Sequence, residues 1–267
     1  MIGSAILMPI LWMGGPMDRA SDSDQEVLNR AEAAFQSGVQ ARGTTEETKQ
    51  FLQAAECYEE LRRRGVHSSA LYWNEANSYL LAGNVPEAIL AYRRGLRVNP
   101  DSRQMRANLA FARDQVVYSS ADNFARPPES YWPPWLPRPT IPLTFWLTFI
   151  FYALAWIGLA RQWAISVNTR PWITWVAVGG TALFAVFFAL QMRAEKSESE
   201  HPVVVIAADQ THLQKGNHAL YPRAYETALN RGVEARLVQI RGDWLQIELT
   251  GGQIGWVARE NALMDLP

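Results

Sequence analysis

The 267-residue sequence holds a single cysteine, Cys57, so no disulfide framework can form within the chain, and the count leaves its compartment open. Histidine is scarce too. His67, His201, His212 and His218 show neither the i, i+4 pairing nor the spacing to cysteine that a zinc site uses. There is no G-x-S-x-G elbow, no phosphate-cradling glycine-rich loop ahead of a helix, and no motif around Cys57, which reads as a small packing residue. The expectation is a protein that is not an enzyme, with no catalytic residues, no metal and no cofactor. Charge excludes a further class: 25 Lys and Arg against 26 Asp and Glu give a net charge of −1, and without a long basic run no nucleic-acid partner is expected.

What is present falls into segments of different composition. Residues 1–17 are apolar, 18–120 are rich in Ala, Glu, Arg and Gln, 121–142 in Pro, 143–192 are again apolar, and 203–267 alternate Val, Ile and Leu with polar residues. The expected fold class is multidomain: all-α helical repeats, a two-helix transmembrane hairpin, and a C-terminal all-β SH3-like barrel.

The helical expectation rests on the stretch Leu71 to Pro100. Tyr72, Ala76, Tyr79, Ala88, Tyr92 and Pro100, with Gly83 between two helices, match the tetratricopeptide pattern, with Glu75 standing where a Leu is usual. A period of 34 extends the match: Ala54 and Tyr58 lie 34 before Ala88 and Tyr92, and Asn108 and Ala110 lie 34 after Asn74 and Ala76. Ala76 and Ala88 let two helices approach, while the tyrosines fill the space between them. In the preceding repeat Asn29, Ala31 and Gly38 stand for Asn74, Ala76 and Gly83, and the extra residues VQARGTTEETKQF predict a longer loop or an extended second helix. RQMRANLAFARDQVVY, capped by Asp101 or Ser102, reads as a capping helix. Such arrays bind partners mainly on the face made by the first helix of each pair, so Trp73, Asn74, Asn77 and Leu80 are candidate contacts for a protein partner, with Leu81 beside them. Leu28 and Glu32 occupy positions where a carboxylate clamp needs Lys and Arg, so capture of a peptide C-terminus is not expected.

Two uncharged runs, 143–160 and 172–192, are each long enough to cross a hydrocarbon layer of about 30 Å, with 161–171 as a loop between them. Trp132, Trp135, Trp146, Trp163 and Trp172 gather at their ends, where an amphipathic ring suits the interface, so the lipid bilayer is an expected partner. The Pro-rich segment 121–142 reads as a stiff spacer and 193–202 as a second linker. A hairpin returns the chain to its starting side. Arg161 and Arg170 in the loop favour a cytoplasmic turn but are nearly balanced by Arg126, Arg138, Arg193 and Lys196. The apolar start resembles a signal region or an anchor, which favours export of both flanking domains across a bacterial inner membrane.

From Val203 onward VVVIA, VEARLVQI, DWLQIEL and QIGWVA alternate with period two around tight glycine turns. The run Gly242-x-Trp244-x-x-Ile247-x-Leu249, then Gly252-x-x-Gly255-Trp256-Val257, resembles a bacterial SH3 domain. Leu245, Ile247 and Leu249 share the core face, which turns Trp244 outward. With Tyr221 and Tyr225 in the preceding loop it forms a candidate groove for an extended or cell-wall peptide.

In its whole order of repeats (YWNEANSYLLAGNVPEAILAYRRGLRVNP and ANLAFAR), Pro-rich linker, two spans and terminal SH3 domain, the chain resembles the BatE-like proteins of the Bacteroides aerotolerance group. That resemblance implies a non-enzymatic envelope scaffold beside a MoxR-type ATPase and membrane-anchored von Willebrand A-domain proteins. The residues themselves point to a membrane-tethered adaptor whose repeats bind a protein partner; the alternative is a peptidoglycan-binding or sensing protein acting through its SH3 domain.

Overall fold

The computed structural model describes residues 22–118, 141–164, 171–200 and 202–264; the expectations for 1–17 and for most of the Pro-rich segment lie outside them. The chain is mostly helical with one small antiparallel sheet at its C-terminal end. It forms two compact units, one made of the N-terminal helices and the C-terminal sheet and the other of the two apolar helices.

In the first unit α1 (Asp22–Gln40) pairs with α2 (Thr45–Arg63), α3 (Ser69–Leu81) with α4 (Val85–Val98), and α5 (Arg103–Asp114) packs on α4 with no following helix to pair with it among the described residues. The extra residues of the first pair are spent on helix rather than loop: α2, which carries the pattern residues Ala54 and Tyr58, runs for 19 residues, against 14 for α4, which carries their counterparts Ala88 and Tyr92. Gly38 therefore lies inside α1, and a Cβ there would meet the Phe51 ring at 2.9 Å. Phe35 meets the same ring edge-on, with centroids 5.3 Å apart.

Local chemistry sets the helix ends. The Ser68 hydroxyl accepts from Leu71 N at 3.1 Å and the Ser102 hydroxyl from Met105 N at 3.3 Å, caps worth about 1 kcal/mol each. Gly83, at φ 81°, ends α3 in the left-handed conformation, so that its own N–H reaches Leu80 O and that of Asn84 reaches Tyr79 O. Pro86 then opens α4 where no intrahelical donor is needed. Ala76 and Ala88 are fully buried, as close helix approach requires, and Tyr92 is buried against them. Gly95 serves the next contact. A Cβ there would lie 3.0 Å from Tyr72 Cβ and 2.5 Å from Met105 Sδ, so only glycine lets α4 seat against both α3 and α5.

The sheet orders as β4-β3-β2-β1-β5, all antiparallel: β1 (Val203–Ile206), β2 (Glu234–Arg241), β3 (Trp244–Glu248), β4 (Ile254–Ala258) and β5 (Ala262–Met264). Arg241 pairs with Trp244 across a two-residue turn in which Gly242 takes φ 55°. Leu245, Ile247 and Leu249 are buried and Trp244, Gln246 and Glu248 half-buried, the alternation expected from the sequence.

Composition separates 18–120 from 203–267, yet the structure gives them a common core. Apolar side chains of α3, α4 and α5 run without interruption into those of the sheet, and α4 packs on β1 and β5. Val116, just past α5, sits 2.6 Å from where a Gly232 Cβ would stand, and Asn230 Nδ2 donates to Val117 O at 2.8 Å. The sheet thus covers surface that a further helix would otherwise cover, and the α1–α2 pair keeps its own cluster around Phe35, Phe51 and Tyr58.

In the second unit α6 (Ile141–Ala164) and α7 (Pro171–Glu200) form an antiparallel hairpin, longer at both inner and outer ends than the apolar runs alone. The segment after Met192, expected as a linker, continues α7 to Glu200, because RAEKSESE contains neither Gly nor Pro to stop it. Small residues set the packing: Gly158 faces Thr174 and Gly180 faces Phe151, while Phe151 stacks on Phe184 at 5.4 Å. Near the open end Thr144 Oγ1 donates to Gln191 Oε1 at 2.7 Å. Leu143–Arg161 and Thr174–Met192 are long and apolar enough to cross a membrane, and only 11% and 6% of these windows are buried inside the protein. Trp146 and Trp172 are exposed.

Candidate binding surfaces

The face expected to hold a partner is largely occupied by its own chain around Asn77. That side chain is only 6% exposed, and its Oδ1 accepts from the Tyr92 hydroxyl and from Asn108 Nδ2. Asn74 is buried with its Nδ2 unpaired. Leu80 and Trp73 are half-buried against the core, and the Trp73 indole N–H is itself buried without a hydrogen-bond partner, a cost to the fold rather than a donor open to a ligand.

The residue that sequence reasoning missed is Phe111. Moving 34 positions forward takes Trp73 to Ala107 and Asn77 to Phe111, and both are exposed, Phe111 at 48%. The period already used to find the array was the signal; reading α5 only as a cap hid it. Along this register the buried amide of α3 gives way to an open aromatic on α5, next to Ala107 and Ala110.

Behind this face lies a buried ionic cluster. Glu75 is 1% exposed, with Oε1 3.6 Å from Arg62 Nε and 3.7 Å from Arg94 Nη1, and with Oε2 unpaired. Arg62 also meets Glu59 at 3.1 Å, and Glu59 accepts from the Tyr79 hydroxyl at 3.1 Å. Burial pushes the Glu75 carboxyl up to about 7, against the lowering by Arg94 and Arg62. Tyr72 pairs with His67 Nδ1 at 2.7 Å. Cys57 on α2 is buried, and burial raises its thiol pKa. Among the described residues no group of three His, Cys, Asp or Glu could hold a metal.

The sheet does not gather its three predicted aromatics into one groove. Tyr225 is half-buried with its hydroxyl 3.5 Å from Ile254 O, while Trp244 pairs with Ala258 at the other end of β4, about 13 Å along the ladder. Tyr221 is exposed, its ring lying over Gly216. Between them, on the same outward face, is Trp256, opposite Gln246, only 6% exposed and with Arg241 over its ring at 5.8 Å. No family model matches the sequence, and no curated protein and no solved structure matches it.

Proposed function

We propose that this chain is a non-enzymatic, membrane-anchored adaptor: tetratricopeptide-like helices bind a protein partner, α6 and α7 cross the bilayer, and an SH3-like sheet braces the end of the helical array. The observation that carries the reading is the open aromatic at Phe111, in register with Asn77 and on the same helix as the exposed Ala107 that matches Trp73, a helix whose other face is packed. A large aromatic left open on a helix fixed by its other face is the kind of side chain that anchors an interface. The BatE-like resemblance points to an envelope setting with a MoxR-type ATPase and von Willebrand A-domain proteins nearby. The spread of Tyr221, Tyr225 and Trp244 over the sheet favours this adaptor reading over cell-wall binding.

A photo-crosslinking residue at Phe111 in the membrane-resident chain should capture one defined protein, and the same residue at Asp101 should not. Trp73→Ala should weaken that capture several-fold with helix content unchanged. Equal capture at both sites, or none, counts against the reading.

Topology is tested separately. The hairpin brings Thr144 to Gln191, so a chain that crosses with α6 returns with α7. Reporter fusions at Ser120 and Pro267 should give the same exported signal, and one within Ser166–Thr169 the opposite, since moving Arg161 and Arg170 outward is disfavoured. Unlike signals at Ser120 and Pro267 would mean that one helix does not cross.

A further inference from the structure

Before β2 the chain makes a tight excursion, Lys215 to Arg223, that contributes little to the core. Its tip is a run of four exposed apolar residues, Ala219, Leu220, Tyr221 and Pro222, and Leu220 at 88% is the most exposed large apolar side chain among the described residues. The loop is nevertheless fixed. Leu220 N donates to His218 Nδ1 at 3.2 Å, Tyr221 N to His218 O at 3.1 Å, and Lys215 N to Pro222 O at 3.0 Å, while the Tyr221 ring lies on Gly216. A leucine held out in water by a hydrogen-bonded turn gains nothing for the fold.

Charge around the tip is of one sign. Lys215 and Arg223 are exposed at its base, and no Asp or Glu occurs from Gln210 through Tyr225; the bracketing acids are Asp209, which pairs with Arg231, and Glu226. Apolar residues at the apex over a cationic base match the layers of an anionic membrane surface, acyl region below and phosphates above.

Chain connectivity supplies the second argument, and it rests on the proposed membrane anchoring. The apolar window of α7 ends at Met192, the helix continues to Glu200, and β1 begins at Val203, so the sheet starts within about 20 Å of the window's end. A sheet of this size held so close meets the bilayer at high effective concentration, and a tip too weakly apolar to bind from solution can still dock.

We propose that the His218–Arg223 tip docks on an anionic bilayer, with Leu220 and Tyr221 entering the interface and Lys215 and Arg223 contacting lipid phosphates. The test uses the full chain with Cys57→Ala and Ala219→Cys, labelled with an environment-sensitive fluorophore and reconstituted at one chain per nanodisc. Discs are made of phosphatidylcholine alone or of an even mixture with phosphatidylglycerol, each with bromine-substituted acyl chains as quencher. Quenching is expected in the mixed discs and much less in the neutral ones. Leu220→Asp should abolish it, and the pair Lys215→Gln and Arg223→Gln should shift the docked-to-free ratio by about 30-fold, from about fivefold per cation. Apart from buried Cys57, which is replaced alike in every arm, these positions are exposed, and an unchanged melting curve verifies the fold.

A second label at Trp175→Cys separates the two failures. If Trp175 is quenched and the tip is not, anchoring holds and the tip proposal is overturned. If neither is quenched, the membrane reading itself fails and the proposal with it. Equal quenching in neutral and anionic discs overturns the role of the cations, and a tip shielded from water but not quenched by lipid would place a protein there instead.

Discussion

Glu234→Ala is expected to lower the stability of the helix-and-sheet unit by about 3 kcal/mol, a loss of more than a hundredfold in its folding equilibrium. Glu234 opens β2 at 3% exposure and holds two helices at once. Its Oε1 accepts from Arg113 Nε at 2.6 Å, and Oε2 accepts from Arg113 Nη2 at 3.0 Å and from Arg93 Nε at 2.7 Å. Removing the carboxylate leaves two guanidiniums facing a seam where water is largely excluded, and that uncompensated charge is the main part of the loss. Both arginines keep some solvent contact, which is why the figure is placed at the low end for a broken buried pair. Burial opposes ionisation of Glu234, but the Arg113 hydrogen bonds and the charges of Arg93 and Arg113 outweigh it, and the carboxyl is held below its ordinary value of 4.5. Its contribution is therefore complete above pH 4.5 and disappears as pH falls through the lower folded value. Urea melts of wild type and Glu234→Gln should differ fully at pH 7 and by a shrinking amount as the pH is lowered below 4.5. Because one apolar core joins helices and sheet, both proteins should unfold in a single transition. Loss of the sheet signal alone, with α3 to α5 unaffected, would show that the seam is only a surface contact.

Much of the architecture was legible because it is written in periods. The 34-residue spacing placed Ala76, Ala88 and Tyr92 in the core, and the two-residue spacing placed Leu245, Ile247 and Leu249 there. The uncharged runs located α6 and α7, although α7 continues past Met192 to Glu200, and of the two candidate caps before RQMRANL, Asp101 and Ser102, it is the Ser102 hydroxyl that caps α5. What escaped is non-local. Nothing within 18–120 or 203–267 announces that Arg93 and Arg113 will meet Glu234, residues separated by 141 and 121 positions, since an exposed and a paired arginine look alike in one sequence. The candidate contact face was only half legible for the same reason. Asn77 reads as a free amide until Tyr92 and Asn108 are seen to claim its carbonyl, and Phe111 stays hidden while α5 is read only as a cap. On the sheet, the strand alternation was sufficient to turn Trp244 outward. The distance from Trp244 to Tyr225 depends on loop path and register, which composition does not encode.

Glu75→Gln is expected to stabilise the protein above neutral pH, by up to about 3 kcal/mol, and to remove a pH dependence that the wild type shows. Glu75 stands where the helical pattern has leucine, and its side chain is as buried as that leucine would be. Around it are Arg62 and Glu59 from α2, Arg94 from α4, and Tyr72 from its own helix, which also feels Arg97. The arginines approach at 3.6 and 3.7 Å, too far for good hydrogen bonds, and Oε2 has no partner, so attraction does not repay the loss of water. The carboxyl accordingly shifts from 4.5 to about 7, which at about 1.4 kcal/mol per unit gives the figure above. Between these two values the folded protein keeps a proton that the unfolded chain has released, so wild-type stability falls as pH rises through the window and levels off above about 7. The glutamine variant has no proton to lose and should lack that slope, overtaking wild type as the carboxylate forms. Glu75→Leu should do the same if Arg62 remains tied to Glu59, whereas Glu59→Gln should weaken the cluster from its other side. Thermal melts of wild type and Glu75→Gln at intervals from pH 5 to pH 8 decide the matter. A wild type that grows more stable over this range relative to the variant would show that Arg62 and Arg94 hold the carboxylate charged, and that burial is the lesser force at this position.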